Sequence, residues 1–228
     1  MGLARKEVRT PERVIEAKAK VNAIEWVTTN RPGVCFAATP KVGSFTLYEY
    51  SGNAKGETLT SSQAALIPLI IAFMRDPLDR VHANFSYFYL MSNDEAGFAD
   101  WLPRGIITKD DDAQTSYERF IDYLLSKTDD NLSDNHWAPQ LDLWTHNGNF
   151  LPKLIYPMSR IDEVWFDHAD GIKRDSHLNL PKREPHQNSA TRIPVRPYLV
   201  DEVKDVYARD TAFYTANLSE PDSVWSAS

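Results

Sequence analysis

Two uninterrupted apolar runs, Val34 to Ala38 and Leu69 to Met74, each stop at a short basic segment. Apolar runs this short, bounded by polar turns, suit strands covered on both faces, as in parallel sheets. The first run gives way to Pro40-Lys41-Val42-Gly43-Ser44-Phe45-Thr46 and the second to Arg75-Asp76-Pro77. Each is followed by a helical pattern, and Pro77 suits a first helical turn. The order strand, loop, helix, strand, helix predicts an α/β fold of three layers, P-loop-like, with a central mostly parallel sheet flanked by helices.

Parallel-sheet proteins gather ligand groups at the carboxyl ends of their strands. Lys41 brings a positive charge there, Gly43 lets the main chain approach closely, and Ser44 and Thr46 bring hydroxyl donors. The free N–H groups of a starting helix complete an anion cradle. Arg75 suits bidentate binding of a second anionic group, and Asp76 either orients it or caps the next helix. The first loop is not a Walker A loop, because its lysine precedes the glycine, and no G-x-G-x-x-G is present.

The rest of the chain is read around those two units. Residues 10 to 29 have a helical apolar spacing, and Thr115 to Lys127 is a marked helix with Thr115 as cap and Glu118 three residues on. Phe150 to Ile155 reads as a strand, Ile161 to Phe166 as a short helix or turn, and Val200 to Tyr214 as the last helix. The chain of 228 residues reads as a single domain, with 171–197 as a lid or substrate loop and 221–228 as a tail.

Composition narrows the partners. A net charge of −7 disfavours nucleic acid, so any anion site is a local focus of positive charge in an acidic protein. One cysteine, Cys35, excludes an intrachain disulfide and thiolate zinc clusters, and fits a reducing compartment. No apolar stretch is long enough for a membrane span, and no apolar run follows the basic residues Arg5 and Lys6 as in a secretory signal. A soluble cytoplasmic protein is expected.

The two loops resemble those of the sulfotransferases, especially the carbohydrate, family-2-like branch. Thr39 to Thr46 is similar to the family's Pro-Lys-x-Gly-like loop, and Arg75-Asp76-Pro77-Leu78-Asp79-Arg80 to its Arg-Asp-Pro-x-x-Arg motif. Further similar elements follow in order: Tyr117 to Leu124, His136-Trp137-Ala138-Pro139-Gln140, Ile155 to Glu163, Pro185-His186-Gln187-Asn188-Ser189, and Val206 to Asp210 with Phe213. The likeness spans roughly Val34 to Tyr214. It implies the donor 3′-phosphoadenosine-5′-phosphosulfate, with adenosine 3′,5′-bisphosphate as product, and a carbohydrate or other hydroxyl-bearing acceptor.

By that resemblance Lys41, Val42, Gly43, Ser44, Phe45 and Thr46 hold the phosphosulfate, and Arg75 the 3′-phosphate. The serine expected eight residues after Arg75 is replaced by Ala83, so either Asn84 or Ser86 compensates or the grip is weaker. Asn188 and Ser189 join the cofactor site, with His186 in the same loop. Lys41 is the candidate for stabilising the leaving phosphate and His136 for the base, with His82, Glu49 and Asp100 as alternatives. Arg192 meets a phosphate, an acidic sugar or solvent. No metal is implied. The family's Golgi anchor and cysteines are absent from this sequence, which suggests a microbial or viral setting. Two other functions remain open from the residues: a P-loop-like kinase or phosphotransferase, and a non-catalytic glycan- or nucleotide-binding module.

Overall fold

A computed structural model describes residues 24–51, 58–91, 105–107, 111–126, 134–170 and 197–227. Eight strands are present among them: β1 (Glu25–Thr28), β2 (Val34–Ala38), β3 (Thr58–Leu59), β4 (Leu69–Met74), β5 (Thr145–His146), β6 (Asn149–Phe150), β7 (Leu154–Pro157) and β8 (Trp225–Ser226). Six form one sheet in the order β3-β1-β2-β4-β7-β8, while β5 and β6 make a separate hairpin. The helices are α1 (Ser44–Tyr50), α2 (Ser61–Ala64), α3 (Pro77–Met91), α4 (Ala113–Ser126), α5 (Gln140–Leu143), α6 (Ile161–Trp165), α7 (Pro197–Val206) and α8 (Ala208–Asn217).

The two apolar runs form the centre of the sheet. β2 pairs in parallel with β4, Cys35 opposite Ile70, and β4 in parallel with β7, Phe73 opposite Tyr156. Side chains alternate between the faces. Cys35, Ala37, Ile70, Ala72 and Ile155 meet Trp26, Leu141 and Trp144 on one side. Phe36, Ile71, Phe73 and Tyr156 meet Leu47, Val164 and Trp165 on the other. A third cluster is helical, joining Phe85 and Phe88 of α3 to Tyr117 and Phe120 of α4, Leu199 and Val203 of α7, and Trp137. Burial on the sheet pushes the Cys35 thiol up to about 12, leaving it an inert core residue.

The fold is mixed α/β with helices flanking a central sheet, but only the three inner strands are parallel. The flanking pairings β3–β1, β1–β2 and β7–β8 are antiparallel, which corrects the mostly parallel reading. β1 occupies the end of the stretch read as a leading helix; the rest of that stretch lies outside the described residues. Trp26, Val27 and Thr28 are aromatic or β-branched, and pairing them with the buried edge of β2 outweighs a helical spacing. A tight turn follows, with the Thr29 Oγ1 donating to the Arg31 carbonyl at 3.0 Å and Gly33 at φ 80.

The helix starts differ in detail from expectation. α4 begins at Ala113, and Asp112 rather than Thr115 caps it: its Oδ1 accepts the Thr115 N–H at 2.9 Å. Asp76 caps α3 by accepting the Asp79 N–H at 3.1 Å. The last expected helix is two, broken at Tyr207, where φ is −101 and ψ is 31. The strand expected over Phe150 to Ile155 is two short ones, because Pro152 and Lys153 separate β6 from β7. No described helix is long and apolar enough to cross a membrane. Residues 171–196, including Asn188 and Ser189 and the stretch read as a lid or substrate loop, lie outside the described residues.

The stretch read as a tail closes the sheet instead. Trp225 pairs with Ile155, and its ring meets Phe150 and Phe213 edge-on at 5.6 and 5.5 Å. Trp225→Ala is therefore expected to cost about 2 kcal/mol in urea denaturation, where a loose tail would give no change.

Candidate functional site

The loop after β2 is bent by two left-handed residues, Lys41 at φ 62 and Gly43 at φ 80. For a lysine this conformation costs about 1 kcal/mol. At Gly43 an added Cβ would also lie 2.3 Å from the Ile161 Cδ1, so that side-chain end would have to shift. Thr39 anchors the start of the loop: it is buried, and its Oγ1 accepts the Trp144 indole N–H at 2.8 Å. The Val42 N–H closes a turn on the Thr39 carbonyl at 3.1 Å. Val42 is fully buried with Leu47, main chain included, and anchors the loop to the core. No side chain caps α1 at Gly43, which leaves the first N–H groups of that helix to other partners.

The segment after β4 grips this loop from behind. Arg75 donates from Nη1 to the Lys41 carbonyl at 3.3 Å. Its own main chain is read from both sides by Gln140, whose Oε1 accepts the Arg75 N–H at 3.0 Å and whose Nε2 donates to the Arg75 carbonyl at 2.8 Å. Arg80, one turn into α3, is 2% exposed and gives its donors to three main-chain carbonyls. They are Pro40 at 3.2 Å, Ala138 at 2.6 Å and Asn135 at 2.9 Å. One guanidinium thus ties the lysine loop to the His-Trp segment. Burial lowers the Arg80 pKa, and the nearby Asp210 and Asp134 charges act in the opposite sense.

Asp210 supports the same corner. It is buried on α8, and its carboxylate accepts the N–H groups of Gln140 at 2.5 Å and Leu141 at 3.2 Å, capping α5 from another helix. Burial raises its pKa, against those hydrogen bonds and the Arg80 charge. The Tyr207 hydroxyl donates to the Trp137 carbonyl at 2.6 Å.

His136 is held on both sides. Its Nδ1 lies 2.8 Å from the Asp134 Oδ1, and its main-chain N–H donates to the same oxygen at 2.8 Å. Burial works against the Asp134 carboxylate, but the two bonds from His136 and the charges of His136 and Arg80 outweigh it and hold its pKa low. An ionised carboxylate only accepts, so Nδ1 carries a proton, and the tautomer this selects has its lone pair on Nε2. Phe88 and Trp137 flank the ring at 5.6 and 5.8 Å, and the Asn84 amide donates to the His136 carbonyl at 2.6 Å.

These pieces meet at one cavity of about 230 Å³, lined among others by Lys41, Ser44, Phe45, Tyr87, Asn135 and His136. The Lys41 ammonium sits 2.9 Å from the centre of the Tyr87 ring. Burial brings the Lys41 pKa down to about 7. Among the described residues the cavity therefore joins a cation, hydroxyl and main-chain donors, and a histidine oriented by a carboxylate.

Not every expected residue reaches it. Val42, Gly43, Thr46 and Arg75 do not line the cavity, although Arg75 touches the Lys41 main chain. Ser86 donates back to the His82 carbonyl at 2.9 Å, within α3. Asn84 uses its amide donor on His136, while its buried Oδ1 finds no partner among the described residues. His82 packs edge-on to Tyr117 at 5.4 Å. Asp100, His186 and Arg192 lie outside the described residues. Sequence reasoning missed Asp134, the contact of Tyr87 with Lys41, and the grip of Gln140 on the Arg75 peptide. Asp134 stands two residues before His136, a spacing that was readable, whereas Tyr87 depends on how α3 crosses the loop.

Two outcomes follow for stability. Folding lowers the Lys41 pKa from 10.5 to about 7, so the unfolded chain binds more protons between those values and stability rises with pH across that window. Lys41→Met is expected to stabilise the protein at pH 7 by about 1 kcal/mol and to flatten that rise, as measured by urea denaturation across pH. Arg80→Met orphans three carbonyls and is expected to cost about 3 kcal/mol or more in the same assay.

The model of the Sulfotransferase family matches residues 39–215, from the lysine loop through α8. No curated protein and no solved structure matches the chain. The matched stretch contains the loop, the Arg75–Arg80 motif and the His136 segment, and supports the family-2-like carbohydrate branch that the motifs resemble. The match covers more than half of the chain, and the chain belongs to the sulfotransferase family.

Proposed function

We propose that this transferase uses 3′-phosphoadenosine-5′-phosphosulfate as donor and a carbohydrate hydroxyl as acceptor. The observation that carries this reading is the single cavity shared by Lys41, Ser44 and the Asp134-oriented His136. The residues fit an anionic donor: the β2–loop–α1 unit presents an uncapped helix start, a left-handed Gly43 and a lysine inside the cavity. When bound, the donor supplies the sulfuryl group, its sulfur–oxygen bond to phosphate breaking as the acceptor oxygen bonds to sulfur.

Lys41, Ser44 and the main-chain N–H groups of Gly43 to Thr46 hold the phosphosulfate end, with the buried Val42 anchoring the loop behind them. Lys41 takes a proton from solvent as an anion arrives, since burial alone places its pKa about 7. Its ammonium then neutralises the electron pair that leaves on the phosphate oxygen. His136 accepts the acceptor's hydroxyl proton at Nε2, and Asp134 fixes the tautomer and stabilises the imidazolium that forms. Arg75, with Asn84 or Ser86 and with Asn188 and Ser189, is assigned to the 3′-phosphate side on the family motifs.

The test pairs binding with turnover. Adenosine 3′,5′-bisphosphate is expected to raise the melting temperature more than ATP with magnesium does. Sulfate transfer to a sugar panel is expected to fall about a hundredfold or more in Lys41→Ala and in His136→Ala, and less in Asp134→Asn. A preference for ATP with magnesium, or a full rate in His136→Ala, contradicts the reading.

A further inference from the structure

The same cavity has a second wall whose chemistry is opposite to that of Lys41. Glu25, at the start of β1, stands opposite Ala38, the last residue of β2, and so lies at the foot of the lysine loop. Its carboxylate accepts a hydrogen bond from the Tyr48 hydroxyl. Tyr48 lies one helical turn beyond Ser44 on α1, and both it and Glu25 line the cavity. The Tyr48 pKa is raised by burial and then by the Glu25 hydrogen bond and charge, so the phenol keeps its proton and goes on donating. Beside them Phe45 holds its ring out, 57% exposed, although it is a large apolar side chain in the first turn of a helix.

Lys41 is the one lysine or arginine among the described residues lining this cavity. Arg75 and Arg80 are turned to main-chain carbonyls behind it. The phosphosulfate end of the donor uses the Lys41 side. What remains is a wall of one carboxylate, the Phe45 and Tyr48 rings and the apolar Ile24. Aromatic faces suit the C–H surface of a sugar ring, and a carboxylate accepts hydrogen bonds from its hydroxyls. The same carboxylate, itself exposed, repels a second negative charge brought beside it.

We infer that Glu25 sets acceptor choice: with Phe45 and Tyr48 it selects a sugar ring carrying no negative charge of its own and rejects uronate-bearing or already sulfated acceptors. The inference rests on the sulfotransferase reading for placing the donor at Lys41, and it is testable without turnover. Methyl β-cellobioside and its C6-oxidised uronate counterpart differ by one carboxylate. Their affinities are measured by calorimetry or NMR titration, with adenosine 3′,5′-bisphosphate present.

The native protein is expected to bind the neutral glycoside about tenfold more tightly than the uronate. Glu25→Gln removes the charge, keeps an oxygen for the Tyr48 hydroxyl, and is expected to bring the two affinities within about twofold. Phe45→Ala, at an exposed position, is expected to weaken both sugars by about fivefold while leaving the melting temperature unchanged. Equal affinity for the two sugars in the native protein, an unchanged preference in Glu25→Gln, or binding of neither sugar overturns the inference. Bisphosphate binding is read in the same titrations, and its absence counts against the donor assignment rather than against Glu25.

Discussion

A single buried guanidinium organises the site. Arg80 reaches the carbonyl of Pro40 in the lysine loop and those of Asn135 and Ala138 on either side of the His-Trp segment. Those segments are far apart in sequence and carry the two groups on which the chemistry depends. Taking a cation out of water is costly, and it is tolerated here because carbonyl dipoles receive its donors and the Asp210 and Asp134 charges lie nearby. A lysine or an apolar residue cannot make three such bonds in one plane, so the geometry calls for arginine at this position.

The surroundings repeat that logic of main chain held by side chain. Gln140 clasps both polar groups of the Arg75 peptide, Asp210 caps α5 from α8, and Asn84 holds the His136 carbonyl. The irregular backbone around the cavity is thus fixed by buried polar side chains rather than by ladders. Against this frame Lys41 stands out as the residue that works against stability, with a left-handed backbone and a desolvated ammonium. Both penalties are understandable if the lysine is kept ready for an anion, the usual conflict between a site and its scaffold.

The parts legible in the sequence were those set by local pattern. β2 and β4 followed from unbroken apolar runs, α3 from Pro77 and its apolar spacing, and the lysine loop from its glycine and hydroxyls. What escaped depended on partners distant in the chain. β1 hid behind a spacing compatible with a helix, and becomes a strand only because β2 offers an edge. β8 is two residues long and exists because the Trp225 ring finds Phe150 and Phe213. With β1 unseen, Glu25 had no reason to lie near the loop. The Arg80 guanidinium was visible as part of a motif, but its three carbonyl partners come from chain segments that only the folded structure brings together.

The central claim is that the lysine loop and the His136 segment face one ligand. Its most direct measurement is the imidazole nitrogen spectrum of His136, assigned by comparison with His136→Gln, during titration with adenosine 3′,5′-bisphosphate. A shared cavity requires the His136 signals to move along the same saturation curve as the main-chain amides of Gly43 and Ser44. Saturation of the loop amides with His136 unmoved would place the two groups in separate environments and contradict it.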